Sequence, residues 1–147
     1  MRLEPLYRAT FTTPEAWSVE LAGPAGTEGQ SFLIAEGRCE GRLSGRLRGA
    51  SYPRRRTGNA LLPDFRGVLQ TAGGAAVLFA WHGYARPAAG GMRELAGSIT
   101  HARRRAVPLA EGNDVVCTLT GEVRPRSDGS GPDVEYDVAE LVWEPLA

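Results

Sequence analysis

Small apolar and charged residues alternate most regularly between positions 37 and 49. The odd positions read Gly37, Cys39, Gly41, Leu43, Gly45, Leu47 and Gly49; the even ones read Arg38, Glu40, Arg42, Ser44, Arg46 and Arg48. Successive side chains of a strand point to opposite faces, so this alternation predicts one long strand with a small-apolar face and a charged face. Four glycines on the apolar side would weaken an ordinary strand. They fit a sheet that bends sharply or lies close against another backbone, as at the corners of a barrel.

A second pattern predicts a hairpin. Runs at Asp64–Thr71 and Ala76–Tyr84 flank Ala72-Gly73-Gly74-Ala75, and Gly-Gly supplies the positive φ of a two-residue turn. That turn pairs Leu69 with Leu78, Val68 with Phe79, Arg66 with Trp81 and Phe65 with His82. One face then carries Asp64, Arg66, Val68, Phe79 and Trp81, and the other Phe65, Leu69, Leu78, His82 and Tyr84. Both faces are mixed, so the pattern does not choose an inner one.

Further strands are predicted at Leu6–Thr12, Trp17–Leu21, Gln30–Ala35, Glu94–His101, Val115–Val123 and Val134–Trp143. The one helical stretch, Arg103–Glu111, is interrupted by Pro108. About eight strands with turn signals between them predict an all-β, mostly antiparallel, closed or nearly closed barrel. It would form a single domain over residues 1–147, with room inside for side chains or one small ligand.

Composition narrows the function. Seventeen acidic and seventeen basic residues balance, leaving no net field to hold nucleic acid or an anionic membrane. Every basic residue is arginine, which removes chemistry that needs a lysine Schiff base or a phosphate-loop lysine. Cys39 and Cys117 lie far apart and outside any CxxC pair, so reduced core thiols are expected, with a disulfide the lesser alternative. His82 and His101 are the two histidines, too few and too scattered for a metal site. No cofactor and no metal are expected. The start of the chain lacks an apolar leader, and the longest apolar run cannot span a bilayer. A cytoplasmic location is the expectation.

The chain resembles an uncharacterised bacterial family, a domain of unknown function, of small calycin-like β-barrels. The resemblance rests on Leu3-Glu4-Pro5-Leu6-Tyr7, the glycine series Glu36–Gly45, Gly49-Ala50-Ser51-Tyr52, and Asp64-Phe65-Arg66 with Leu69, Thr71 and Gly74. Gly112-Asn113-Asp114-Val115-Val116 matches near the end. It implies the barrel more than any activity.

Two groups can carry chemistry. Asp64 and Arg66, two apart on a strand, share a face. In a barrel interior the carboxylate can act as a base and the guanidinium can hold an oxyanion, with Trp81 stacking on a substrate. On the outside they would form a salt bridge beside Trp81. His82 and Tyr84 offer an alternative base and oxyanion donor on the opposite face. Tyr52 is placed at the barrel mouth, as a ligand contact or as rim packing. The runs Arg54-Arg55-Arg56 and Arg103-Arg104-Arg105 lack interleaved aromatics and read as solvated.

The expected function is a small-molecule-binding barrel. Its interior would act as a cofactor-independent cyclase, isomerase or lyase on a hydrophobic or aromatic substrate. The alternatives are a non-catalytic binding barrel and a structural or oligomerisation module. A homodimer is allowed through unpaired edges.

Overall fold

The computed structural model describes residues 1–103 and 115–147. The helical stretch, the second arginine run beyond Arg103 and the Gly112–Asp114 turn lie outside the described residues. Among the described residues ten strands occur: β1 (Arg2–Gly23), β2 (Gly26–Gly41), β3 (Gly45–Ser51), β4 (Arg54–Arg55), β5 (Leu61–Leu62), β6 (Asp64–Thr71), β7 (Ala76–Pro87), β8 (Arg93–Ala102), β9 (Cys117–Arg124) and β10 (Asp133–Val142). All pairings are antiparallel. Eight strands close a ring in the order β1-β10-β9-β8-β7-β6-β3-β2, with β2 pairing back onto β1. The short β4 and β5 bridge from β2 to β7 across one mouth.

The alternating stretch from Gly37 to Gly49 is not one strand. It folds into β2 and β3, with Cys39 opposite Gly45. Gly41 takes φ +148°, a value open to glycine, and Ser44 Oγ accepts from its N–H at 3.1 Å. The inner parity survives the turn: Cys39, Leu43 and Leu47 are all buried. The glycines act as the bend argument anticipated. A Cβ on Gly37 would strike the carbonyl of Thr10 and the backbone of Phe11, and one on Gly121 would strike the backbone of Glu135 and Tyr136.

Two predicted strands, Leu6–Thr12 and Trp17–Leu21, are one continuous β1. With the start of β2 its distal half forms a ribbon beyond the barrel rim, closed at Gly23–Gly26. The barrel centre is not open. Phe11, Phe65, Phe79, Trp81 and Tyr136 pack through it, with ring centroids 5.1 to 6.2 Å apart. The chain's own aromatics thus fill much of the barrel centre.

Candidate functional site

The hairpin of β6 and β7 decides which side chains face inward. Its turn has three loop residues rather than two. Gly74 N–H donates to Thr71 O at 2.9 Å, Thr71 N–H donates to Ala75 O at 2.9 Å, and Gly74 sits at φ +81°. This is a type I turn followed by a left-handed residue, the common three-residue hairpin loop. The register therefore moves by one from the expected pairing: Asp64 faces His82, Phe65 faces Trp81 and Val68 faces Leu78. A one-residue shift sends a whole set of side chains to the other face. Phe65, Leu69, Val77, Phe79, Trp81 and Ala85 all point inward and are buried.

Asp64, Arg66, His82 and Tyr84 consequently share the outer wall. Neither of the two expected pairs lines the interior, and Trp81 is separated from Arg66 by the sheet itself. Asp64 Oδ1 lies 3.6 Å from Arg66 Nε and 3.6 Å from His82 Nδ1. The Arg66 and His82 side chains are largely in solvent, so this is a loose surface ion cluster. Tyr84 is exposed under the guanidinium of Arg56 at 5.8 Å. Tyr52 also faces outward, 4.7 Å from the Phe32 ring, and Phe32 stacks on Trp17 at 5.7 Å.

Two features inside the barrel take their place. The first is at the β4–β5 mouth, where a cavity of about 100 Å³ is lined by Phe65, Trp81, Leu61, Pro63 and Leu95, with Thr13 and Ser51 among its walls. The Trp81 indole N–H and the Tyr136 hydroxyl have no hydrogen bond of good geometry. Burial pushes the Tyr136 phenol up, while the Trp81 N–H pulls it the other way. Arg93 holds one wall of the mouth, donating to Asn59 O at 2.7 Å and to Asn59 Oδ1 at 3.2 Å.

The second lies at the opposite end. Tyr7 Oη and His101 Nε2 are 2.7 Å apart and buried, although β1 and β8 are not neighbours in the ring. A register shift after Pro5 turns Tyr7 inward beside the equally buried Leu6; such bulges re-aim side chains. Burial lowers His101 to about 4, helped by Arg103. Burial likewise raises Tyr7 well above the usual phenol range. Both groups are therefore neutral near pH 7. Cys39 and Cys117 are free and buried, and burial pushes the Cys39 thiol up to about 11.

Sequence reasoning missed Tyr7, His101 and Tyr136. His101 was legible: it continues the inner series Leu95, Ile99 on β8. Tyr7 was not, because alternation along Leu6–Thr12 does not announce a bulge.

No family model and no curated sequence matches the chain. Solved structures share its fold over nearly the whole length. A β-barrel-like protein from Acinetobacter baumannii is 20% identical, covering 96% of each chain, with TM-score 0.77. A protein of unknown function from Clostridium acetobutylicum is 12% identical, covering 97% of this chain and 100% of its own, with TM-score 0.80. An enzyme from Penicillium herquei is 20% identical, covering 95% and 94%, with TM-score 0.58. Among the described residues no helix is long and apolar enough to cross a membrane.

Proposed function

We propose that this chain is a small-molecule-binding barrel, calycin-like in use, whose ligand enters at the β4–β5 mouth and rests on Trp81. The carrying observation is the cavity of about 100 Å³ at this mouth, whose exposed lining is apolar and includes the Trp81 and Phe65 side chains. Drug-sized pockets run to roughly 300–1,000 Å³, so this one suits a single ring or a short chain. The apolar lining favours an uncharged, apolar ligand. The residues lining this cavity include no carboxylate, histidine or thiol, which favours binding over chemistry at this end.

The experiment is a titration of single-ring aromatics against Trp81 fluorescence, in a background where Trp17 and Trp143 are phenylalanine. Saturable quenching is expected, lost in Ala85→Leu, which fills the cavity. Flat titrations across phenols, indoles and benzoates, with an unmoved melting temperature, would remove the proposal.

A second reading is favoured by Tyr7 and His101. A buried neutral imidazole 2.7 Å from a phenol is a general base beside an oxyanion donor. That is what a cofactor-independent isomerase, lyase or cyclase needs. The likeness to a fungal protein described as an enzyme is compatible with this. Its test is deuterium uptake from solvent into small carbon acids, such as cyclic ketones. The parent should catalyse exchange, and His101→Asn should lose it about a hundredfold while Asp64→Asn does not. Equal rates in the parent and His101→Asn remove this reading.

A further inference from the structure

The ribbon built from the distal half of β1 and the start of β2 stands clear of the barrel. Pairing of β1 with β10 stops at Thr12, while pairing with β2 continues to Gly23. Among the described residues, no strand pairs with the other edge of β1 from Pro14 to Gly23. The ribbon also carries apolar side chains in water: Trp17, Val19 and Leu21 are each more than half exposed. A two-stranded ribbon on its own is marginal in water, and a long apolar free edge is a template for strand pairing.

We infer that the chain forms a two-fold dimer by antiparallel pairing of this β1 edge with the same edge of a second copy, centred on Val19. The charge pattern selects this occupant. Glu15 and Glu20 are the only charged residues from Pro14 to Gly23. About a dyad at Val19, Glu20 faces the partner's Ser18, and Glu15 faces the partner's Gly23. No like charges stand opposite each other, which would be destabilising. Trp17 meets the partner's Leu21, and Val19 meets itself. Arg55, 3.3 Å from Glu20, already neutralises the one acid near the centre. A closed two-fold pairing also uses up the edge, leaving no open face for further growth.

The test uses the full chain. Sedimentation should give twice the chain mass, and Val19→Lys should give a monomer that still unfolds in one cooperative transition. Val19→Cys should form an intermolecular disulfide on mild oxidation, because residues opposite each other across a dyad lie within disulfide reach. Leu78→Cys, on the outer wall, should not. Amides of residues 15–21 should gain exchange protection as the concentration rises. A monomeric parent overturns the proposal, as does a dimer that survives Val19→Lys. A dimer whose 15–21 amides stay unprotected is stacked through its apolar faces, or held elsewhere, and overturns the edge pairing too.

Discussion

The Tyr7 hydroxyl meets His101 Nε2 at 2.7 Å across the barrel, joining strands β1 and β8, which are separated round the ring by β10 and β9. This contact ties the wall at the end opposite the mouth, and the burial of His101 there makes stability depend on pH. In the unfolded chain histidine takes a proton near 6.5; in the fold, burial and Arg103 hold it to about 4. Between these values the unfolded chain binds more protons. Stability is therefore complete above about pH 7 and falls as the pH drops toward 4, by roughly 3 kcal/mol in all. Urea midpoints from pH 7.5 to 4.5 should show this slope in the parent and lose it in His101→Asn. The same slope in both proteins would assign the acid sensitivity elsewhere.

Tyr136 sets a different expectation. Its hydroxyl is fully buried with no well-formed hydrogen bond, and its ring meets Trp81 edge to face at 5.6 Å. Leaving a buried hydroxyl unsatisfied costs about 1–3 kcal/mol. Tyr136→Phe keeps the ring and removes the cost, so it should match the parent or exceed it by up to about 1 kcal/mol. Tyr136→Ala should lose about 3–5 kcal/mol through the cavity it opens. Chemical denaturation decides it: a phenylalanine variant clearly weaker than the parent means that the indole N–H does bond the hydroxyl.

The eight-strand ring was legible because alternation and turn residues report directly on strands. The site was less so, for one physical reason. Gly73-Gly74 admits a two-residue or a three-residue loop, and the choice moves every partner by one. The mixed faces of the two-residue pairing were themselves the signal, since a sheet buried on one side sorts apolar from polar. With the three-residue loop, Phe65, Leu69, Val77, Phe79 and Trp81 fall together on one side, and Asp64, Arg66, His82 and Tyr84 on the other. The break at Gly41 hid in the same way, because its turn preserves parity and so mimics an unbroken strand. Tyr7 stood behind a bulge, which alternation cannot show.

Arg93 is expected to act as a latch on the mouth. Its guanidinium reaches Asn59 O at 2.7 Å and Ala85 O at 3.3 Å, and burial, then Arg55, depresses its pKa. Asn59 sits at φ +66°, so its loop is held in place partly by these bonds. Arg93→Ala should cost about 1–2 kcal/mol overall. Locally, the amide of Arg56, bonded to Ala60 O at 2.9 Å, should exchange about tenfold faster. Exchange unchanged at Arg56 would show that the loop is held by packing alone.

The inward glycines make the sharpest claim about the fold itself. Gly37 lies opposite Phe11 on β1, and a methyl group there would overlap the Thr10 carbonyl, which belongs to the ring's own ladder. A flexible side chain can step aside; a strand's backbone cannot without breaking its pairing. Gly37→Ala should therefore destabilise by more than the approximately 0.5–1 kcal/mol that alanine usually gains over glycine within a strand, and with the opposite sign. A loss of several kcal/mol, or failure to fold, is the expected result. Gly73→Ala is the control: its Cβ would meet nothing nearer than the Thr71 hydroxyl at 4.0 Å, so its melting temperature should stay close to the parent's. If Gly37→Ala melts with the parent as well, close backbone approach is not what curves this sheet, and the ring must owe its closure to the register of β1 between β2 and β10 instead.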